Sequence, residues 1–185
     1  KELRLANYID DESTNYDSIE IYNVRTDDLL QKINQLNTPD TVVARQFLFT
    51  DLGQVYKMTV DLGRTGSCKF DIIGEKSTSG VLSVIDANPE DSDGPFSIFE
   101  LVFATDMTVE NVLFKNAKVN DNAGNASVFD ITNASATLDL TNVTFVNNEG
   151  YALYNKGSSV TMKNVLFDVD ESGKANKIGN YSNIR

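Results

Sequence analysis

The chain has 185 residues, 41% of them apolar, and 27 acidic against 16 basic side chains give a formal net charge of −11. That length suffices for one domain with a sizeable core, and so acidic a chain repels phosphate, which excludes nucleic acid as a partner. Histidine is absent, which excludes Ser-His-Asp and Cys-His nucleophile systems and histidine-held metals.

Beginning at Lys1 with no signal-peptide pattern, the chain reads as a mature or excised segment. No apolar run approaches the ~20 residues of a membrane-spanning helix. Residues 1–25 form a polar arm with Asp10, Asp11 and Glu12 at its middle. Within it, Ser18–Val24 alternates like a strand, which predicts pairing with the first layer of the following domain or with another molecule's edge.

Residues 26–185 read as one β domain opened by a capping helix over 26–37. Thr26 is placed as N-cap, with Asp27 and Asp28 in the first turn, where the helix dipole favours negative charge. Leu29, Leu30, Ile33 and Leu36 make one apolar stripe, and Pro39 stops the helix. Strand-like runs follow at Thr41–Phe49, Val55–Leu62, Lys69–Gly74, Val81–Asp86 and Ser97–Ala104, separated by glycine-rich turns. Cys68 is the single cysteine, so no internal disulfide forms, and it reads as a small core residue.

The loop after the fourth run concentrates oxygen donors. Asp86, Asn88, Glu90, Asp91 and Asp93 precede Gly94, and Ca²⁺ takes 6–8 oxygen ligands. The loop is a candidate Ca²⁺ site; the competing reading is a solvated acidic loop.

The strongest pattern lies further on. Asn-Val-x-Phe occurs at Asn111–Phe114, Asn142–Phe145 and Asn164–Phe167, spaced 31 and 22 residues apart. Before each Asn a run alternates apolar and polar residues, as in Met107-Thr108-Val109-Glu110 and Val160-Thr161-Met162-Lys163. After the Asn the phase resets, so each Asn marks a bend between two strands, a place where its tolerance of left-handed backbone angles is useful. Equal content at unequal spacing predicts stacked repeats with an inserted loop in one of them. At a strand separation of about 4.8 Å, Asn111, Asn142 and Asn164 would form an amide ladder and the three Phe rings would stack.

Four Asn-x-Ser/Thr sites occur, at Asn125, Asn133, Asn142 and Asn180. Asn125 and Asn133 fall in the inserted loop region and are the candidates for glycosylation in a secreted chain, while Asn142 belongs to the ladder and is expected to stay unmodified. Tyr151 and Tyr154 are three residues apart, so a regular strand would point them to opposite faces, one inward and one outward. Asp168 and Asp170 share one face of the last acidic run.

These motifs resemble a known group. The repeated Asn, together with Ile72-Ile73-Gly74-Glu75, Ile98-Phe99-Glu100-Leu101, Phe145-Val146-Asn147-Asn148 and Gly150-Tyr151-Ala152-Leu153, is similar to the right-handed parallel β-helix of the pectin-lyase-like superfamily. The closest pattern is that of adhesin-like surface proteins of bacteria and archaea, over about residues 26–172. Phe145-x-x-Asn148 and the following Gly also resemble repeats of polymorphic outer-membrane proteins, although Tyr151 stands where their second Gly would be.

The resemblance implies an all-β, right-handed parallel β-helix with a short N-terminal capping helix. It implies an extracellular or cell-surface, non-catalytic module that binds a carbohydrate or protein ligand, with Ca²⁺ as a possible bound ion and no other cofactor. It leaves two alternatives open. One is a structural subunit that assembles with copies of itself through open coil ends or strand exchange. The other is a polysaccharide lyase or hydrolase fragment, in which Asp168 and Asp170 would hold Ca²⁺ and Lys163 would be the base; an exposed charged strand edge is the competing reading of those residues.

Overall fold

The computed structural model describes residues 18–24, 43–49, 55–57, 63–64, 69–74, 80–88, 95, 97–102, 104–119, 126–168 and 177–180. Every regular element among them is a β-strand. In chain order these are β1 (Ser18–Val24), β2 (Val43–Phe49), β3 (Val55–Lys57), β4 (Gly63–Arg64), β5 (Lys69–Gly74), β6 (Ser83–Asp86) and β7 (Phe99–Leu101). After them come β8 (Asp106–Lys115), β9 (Ala126–Ile131), β10 (Thr137–Val146), β11 (Tyr151–Asn155), β12 (Ser159–Lys163), β13 (Leu166–Phe167) and β14 (Lys177–Asn180). The helix expected over 26–37 lies outside the described residues, as does Cys68.

The strands form two sheets. The first runs β1-β2-β5-β8-β10-β12, with β13 beside β10, and with β6 beside both β8 and β3; the second runs β4-β7-β9-β11-β14. All pairings in both sheets are parallel. Parallel neighbours need a crossover connection, and here the crossover is a visit to the other sheet. From β6 onward the chain alternates between sheets, with β12 and β13 as two halves of one visit beside β10, and each return lays a new strand beside the previous one of that sheet. β1 follows the same logic: residues 18–24 pair in register with 43–49, so the polar arm contributes a strand to this chain's own first sheet.

The alternation read from the sequence appears as burial. Along β8, Met107 and Val109 are buried while Thr108 and Glu110 are half-buried; then Asn111 and Val112 are buried in succession and Phe114 completes the inner row. The break in period falls at Asn111, whose φ is 56°. Asn142 (φ 52°) does the same inside β10, and Asn164 (φ 54°) separates β12 from β13. Asparagine fills this backbone state at lower cost than β-branched or bulky residues.

The inner rows of the two sheets meet in one core. Met107, Val109, Val112, Leu138, Leu140 and Val143 from the first sheet pack with Phe99, Leu101, Phe129, Ile131 and Leu153 from the second. Register stacks like on like: Phe114 pairs with Phe145, and Phe145 with Phe167. Their ring centroids lie 5.8 and 4.7 Å apart, nearly parallel. A second stack, Phe99 on Phe129 at 5.5 Å, meets the first edge-on through Phe129, 5.3 Å from Phe114. Each fully buried side chain of this size contributes about 1.5–3 kcal/mol of transfer free energy, and each aromatic contact adds about 0.5–1.5 kcal/mol.

Gly74 shows how closely the layers approach. A Cβ at Gly74 would stand 2.1 Å from the Asn111 carbonyl oxygen. The first layer needs a residue without a side chain there, because the backbone of the next layer occupies the space.

Candidate functional site

The ladder of Asn111, Asn142 and Asn164 runs across the first sheet. Asn164 Nδ2 donates to Asn142 Oδ1 at 3.0 Å, Asn142 Nδ2 donates to Asn111 Oδ1 at 3.0 Å, and Asn111 Nδ2 donates to the Gly74 carbonyl at 3.1 Å. Gly74 thus occupies the place of a fourth rung and closes the ladder with its backbone. Asn111 and Asn142 each use the donor on one neighbour and the acceptor on the other, which satisfies polar groups carried at tight bends.

A second ladder lies five residues further along, and the sequence reading missed it. Asn147 Nδ2 donates to Asn116 Oδ1, and Asn116 Nδ2 donates to Asp86 Oδ1, both at 2.8 Å. Asn116 and Asn147 also have positive φ, 60° and 51°. The available signal was their separation of 31 residues, the same as that of Asn111 and Asn142.

Asp86, singled out in the sequence as a candidate Ca²⁺ ligand, is the first rung of this ladder. Its Oδ1 accepts from Asn116 and from the Asn88 amide at 3.0 Å, and its Oδ2 pairs with Lys115 Nζ at 2.9 Å. Both carboxylate oxygens are committed to the protein. Asn88 reaches Asp86 through its backbone N–H, and Glu90, Asp91 and Asp93 lie outside the described residues. Among the described residues no group of three or more His, Cys, Asp or Glu side chains is placed to hold a metal ion.

The other singled-out residues separate. Asn133 is half-buried; its Nδ2 donates to the Val102 carbonyl and its Oδ1 accepts the Ser135 N–H at 2.8 Å, so the amide that a glycan would join serves the fold. Asn125 lies outside the described residues. Asp168 and Lys163 are exposed, the Asp168 N–H bonding to the Phe145 carbonyl at 2.9 Å, and Asp170 lies outside the described residues.

Tyr151 and Tyr154 correct an expectation. They lie on the same side of β11, ring centroids 6.0 Å apart and planes inclined at 43°. The cause is a break in register. On the β14 side Tyr151 pairs with Lys177 and Leu153 with the very next residue, Ile178, so Ala152 is an extra residue of β11. This β-bulge buries Ala152 and Leu153 in succession and brings Tyr154 back to the side of Tyr151. Tyr151 is 39% exposed, and Tyr154 is half-buried. In the cross-strand row of Tyr154 lie Asp130 and Glu100 on one side and Gly179 on the other.

Together these features define, over the described residues, an all-β arrangement of parallel strands joined by amide ladders. Comparison with known protein families, with characterised proteins and with solved structures found no match to this chain. No helix among the described residues is long and apolar enough to cross a membrane.

Proposed function

We propose that the two parallel sheets are faces of a right-handed parallel β-helix, and that the chain is a non-catalytic, extracellular or cell-surface binding module of the adhesin-like kind. The observation that carries this reading is the division of labour across each strand. Inward rows are spent on the Phe stacks and apolar core, the Asn ladders and Asp86 are spent on the bends, and the outward rows of β8, β10 and β12 are left as a regular, half-exposed to exposed polar surface. On the outer side of the first sheet, Asp106, Thr137 and Ser159 stand in one row, and Thr108, Asp139 and Thr161 in the next. Such a surface presents evenly spaced groups to an extended ligand, a glycan or a protein, without needing a cleft. The absence of histidine from the sequence and its acidity agree with that use.

The test is incubation of the purified chain with a panel of polysaccharides, with and without Ca²⁺, scoring both retention and new chain ends. Retention without new chain ends is the expected result. Cleavage of any polysaccharide would overturn the reading and move the protein to the enzymes.

A second reading, self-assembly, draws on β12 and β13, which end the first sheet among the described residues. Asn164 is an exposed last rung there, and Leu166 is 55% exposed. An apolar residue and an open amide at a sheet edge suit a further strand. Sedimentation over a hundredfold concentration range checks it: growth of the sedimentation coefficient supports assembly, and a constant monomer value removes it.

A further inference from the structure

We propose that Tyr151 and Tyr154 form a stacking subsite for a neutral glycan on the outer side of β11. The inference rests on the binding-module reading and gives it a location and a ligand class.

The bulge in β11 is the first argument. A regular strand would bury one of these tyrosines, and the extra residue Ala152 instead sets both rings on one side, 6.0 Å apart. Their 43° inclination leaves two faces meeting at a shallow angle, not a closed parallel stack. Openness is the second. Tyr151 is 39% exposed, and no described residue hydrogen-bonds its hydroxyl.

Chemistry selects the ligand. A pyranose ring has an apolar face of C–H groups and a rim of hydroxyls, and tyrosine offers the matching pair, an apolar ring with a polar tip. Glu100 shares the Tyr154 row beside the buried Asp130, Lys177 is the cross-strand partner of Tyr151, and the field of the chain as a whole is set by its net charge of −11. Uronates and sulfated sugars are therefore repelled, and a neutral sugar is favoured. A cation is the competing ligand for aromatic rings beside carboxylates. It binds well only when enclosed and stripped of water, and weakly over exposed rings. Here the leading ring is open to solvent, and among the described residues its ring contact is with Tyr154.

Saturation-transfer difference NMR on the intact chain tests the site. The probes are cellohexaose, mannohexaose and maltohexaose as neutral oligosaccharides, oligogalacturonate as an anionic one, and tetramethylammonium as the cation. The expected result is transfer to the C–H protons of at least one neutral probe. Tyr151→Ala should weaken that probe's Kd at least tenfold, and Tyr151→Phe, which keeps the ring, should change it less than threefold. Matched far-ultraviolet circular dichroism spectra confirm that both variants fold. Unchanged affinity in Tyr151→Ala overturns the site, as does preference for oligogalacturonate or tetramethylammonium over every neutral probe, or no binding of any neutral probe. Each of these leaves the binding-module reading standing, since only cleavage of a polysaccharide removes that.

Discussion

Asn142 does three things at once: it holds a left-handed backbone angle, donates to Asn111 and accepts from Asn164. The three can be separated by substitution. Asn142→Gly keeps the backbone angle at little cost and removes both hydrogen bonds. It leaves the acceptor of Asn111, a residue only 5% exposed, without its donor. An unsatisfied buried polar group costs about 1–3 kcal/mol. Asn142→Ala adds the strain of a left-handed angle on a residue with no side-chain compensation, about 1 kcal/mol more. Asn164→Gly removes a single bond at an exposed rung and is expected to cost about 0.5–1.5 kcal/mol. Urea unfolding of the three variants should rank Asn142→Ala below Asn142→Gly below Asn164→Gly in stability. Equal midpoints for the two glycine variants would show that the ladder contributes nothing beyond its bends.

At the scale of the strand, the sequence showed what repeats identically and hid what repeats with a change of residue. Asn-Val-x-Phe was legible because stacked layers put the same side chain in the same environment, so the bends, the inner rows and the Phe stack follow from the sequence alone. The second ladder was hidden because its first rung is Asp86, which invites a reading by charge. The carboxylate does for Asn116 what an amide oxygen does for Asn147. The tyrosine pair was hidden because a bulge leaves no mark in a period-two pattern; Ala152 and Leu153 being apolar in succession was the available trace. The fold therefore came from identity across layers, and the proposed site comes from a local departure from it. The Phe stack allows a quantitative check. Phe145 is fully buried between Phe114 and Phe167 and edge-on to Phe129, 6.1 Å away. Phe167 is half-buried and touches one ring of the stack. Phe145→Ala should cost about 3–5 kcal/mol, the range for a buried phenylalanine, and Phe167→Ala clearly less. A larger loss at Phe167 would mean that the outer layer holds the stack together.

For the molecule as a whole, stacking makes stability a matter of neighbours. Strand β10 has β8 on one side and β12 and β13 on the other, whereas β12 and β13 have β10 on one side alone among the described residues. In such an array each layer is held by its own residues plus the interfaces it shares, so a layer with one interface opens at lower free energy than a layer with two. Two backbone bonds of nearly equal length make the comparison. The Thr137 N–H bonds to the Thr105 carbonyl at 2.8 Å within the stack, and the Asp168 N–H bonds to the Phe145 carbonyl at 2.9 Å at its edge. Bond geometry alone would give them similar protection against hydrogen exchange. If protection follows the stack, the Thr137 amide should exchange at least a hundredfold more slowly, a difference of about 2.7 kcal/mol in opening free energy. Equal rates would mean that the described layers open as one unit. The distinction bears on binding, because Tyr151 and Tyr154 sit on β11, between β9 and β14 in the second sheet. A gradient of opening toward the edge would put the tyrosine pair one strand inside the less stable end. A glycan bridging β11 and β14 would then slow exchange at Ile178 and Gly179, partners of Leu153 and Tyr154, beyond any effect on the β8 amides.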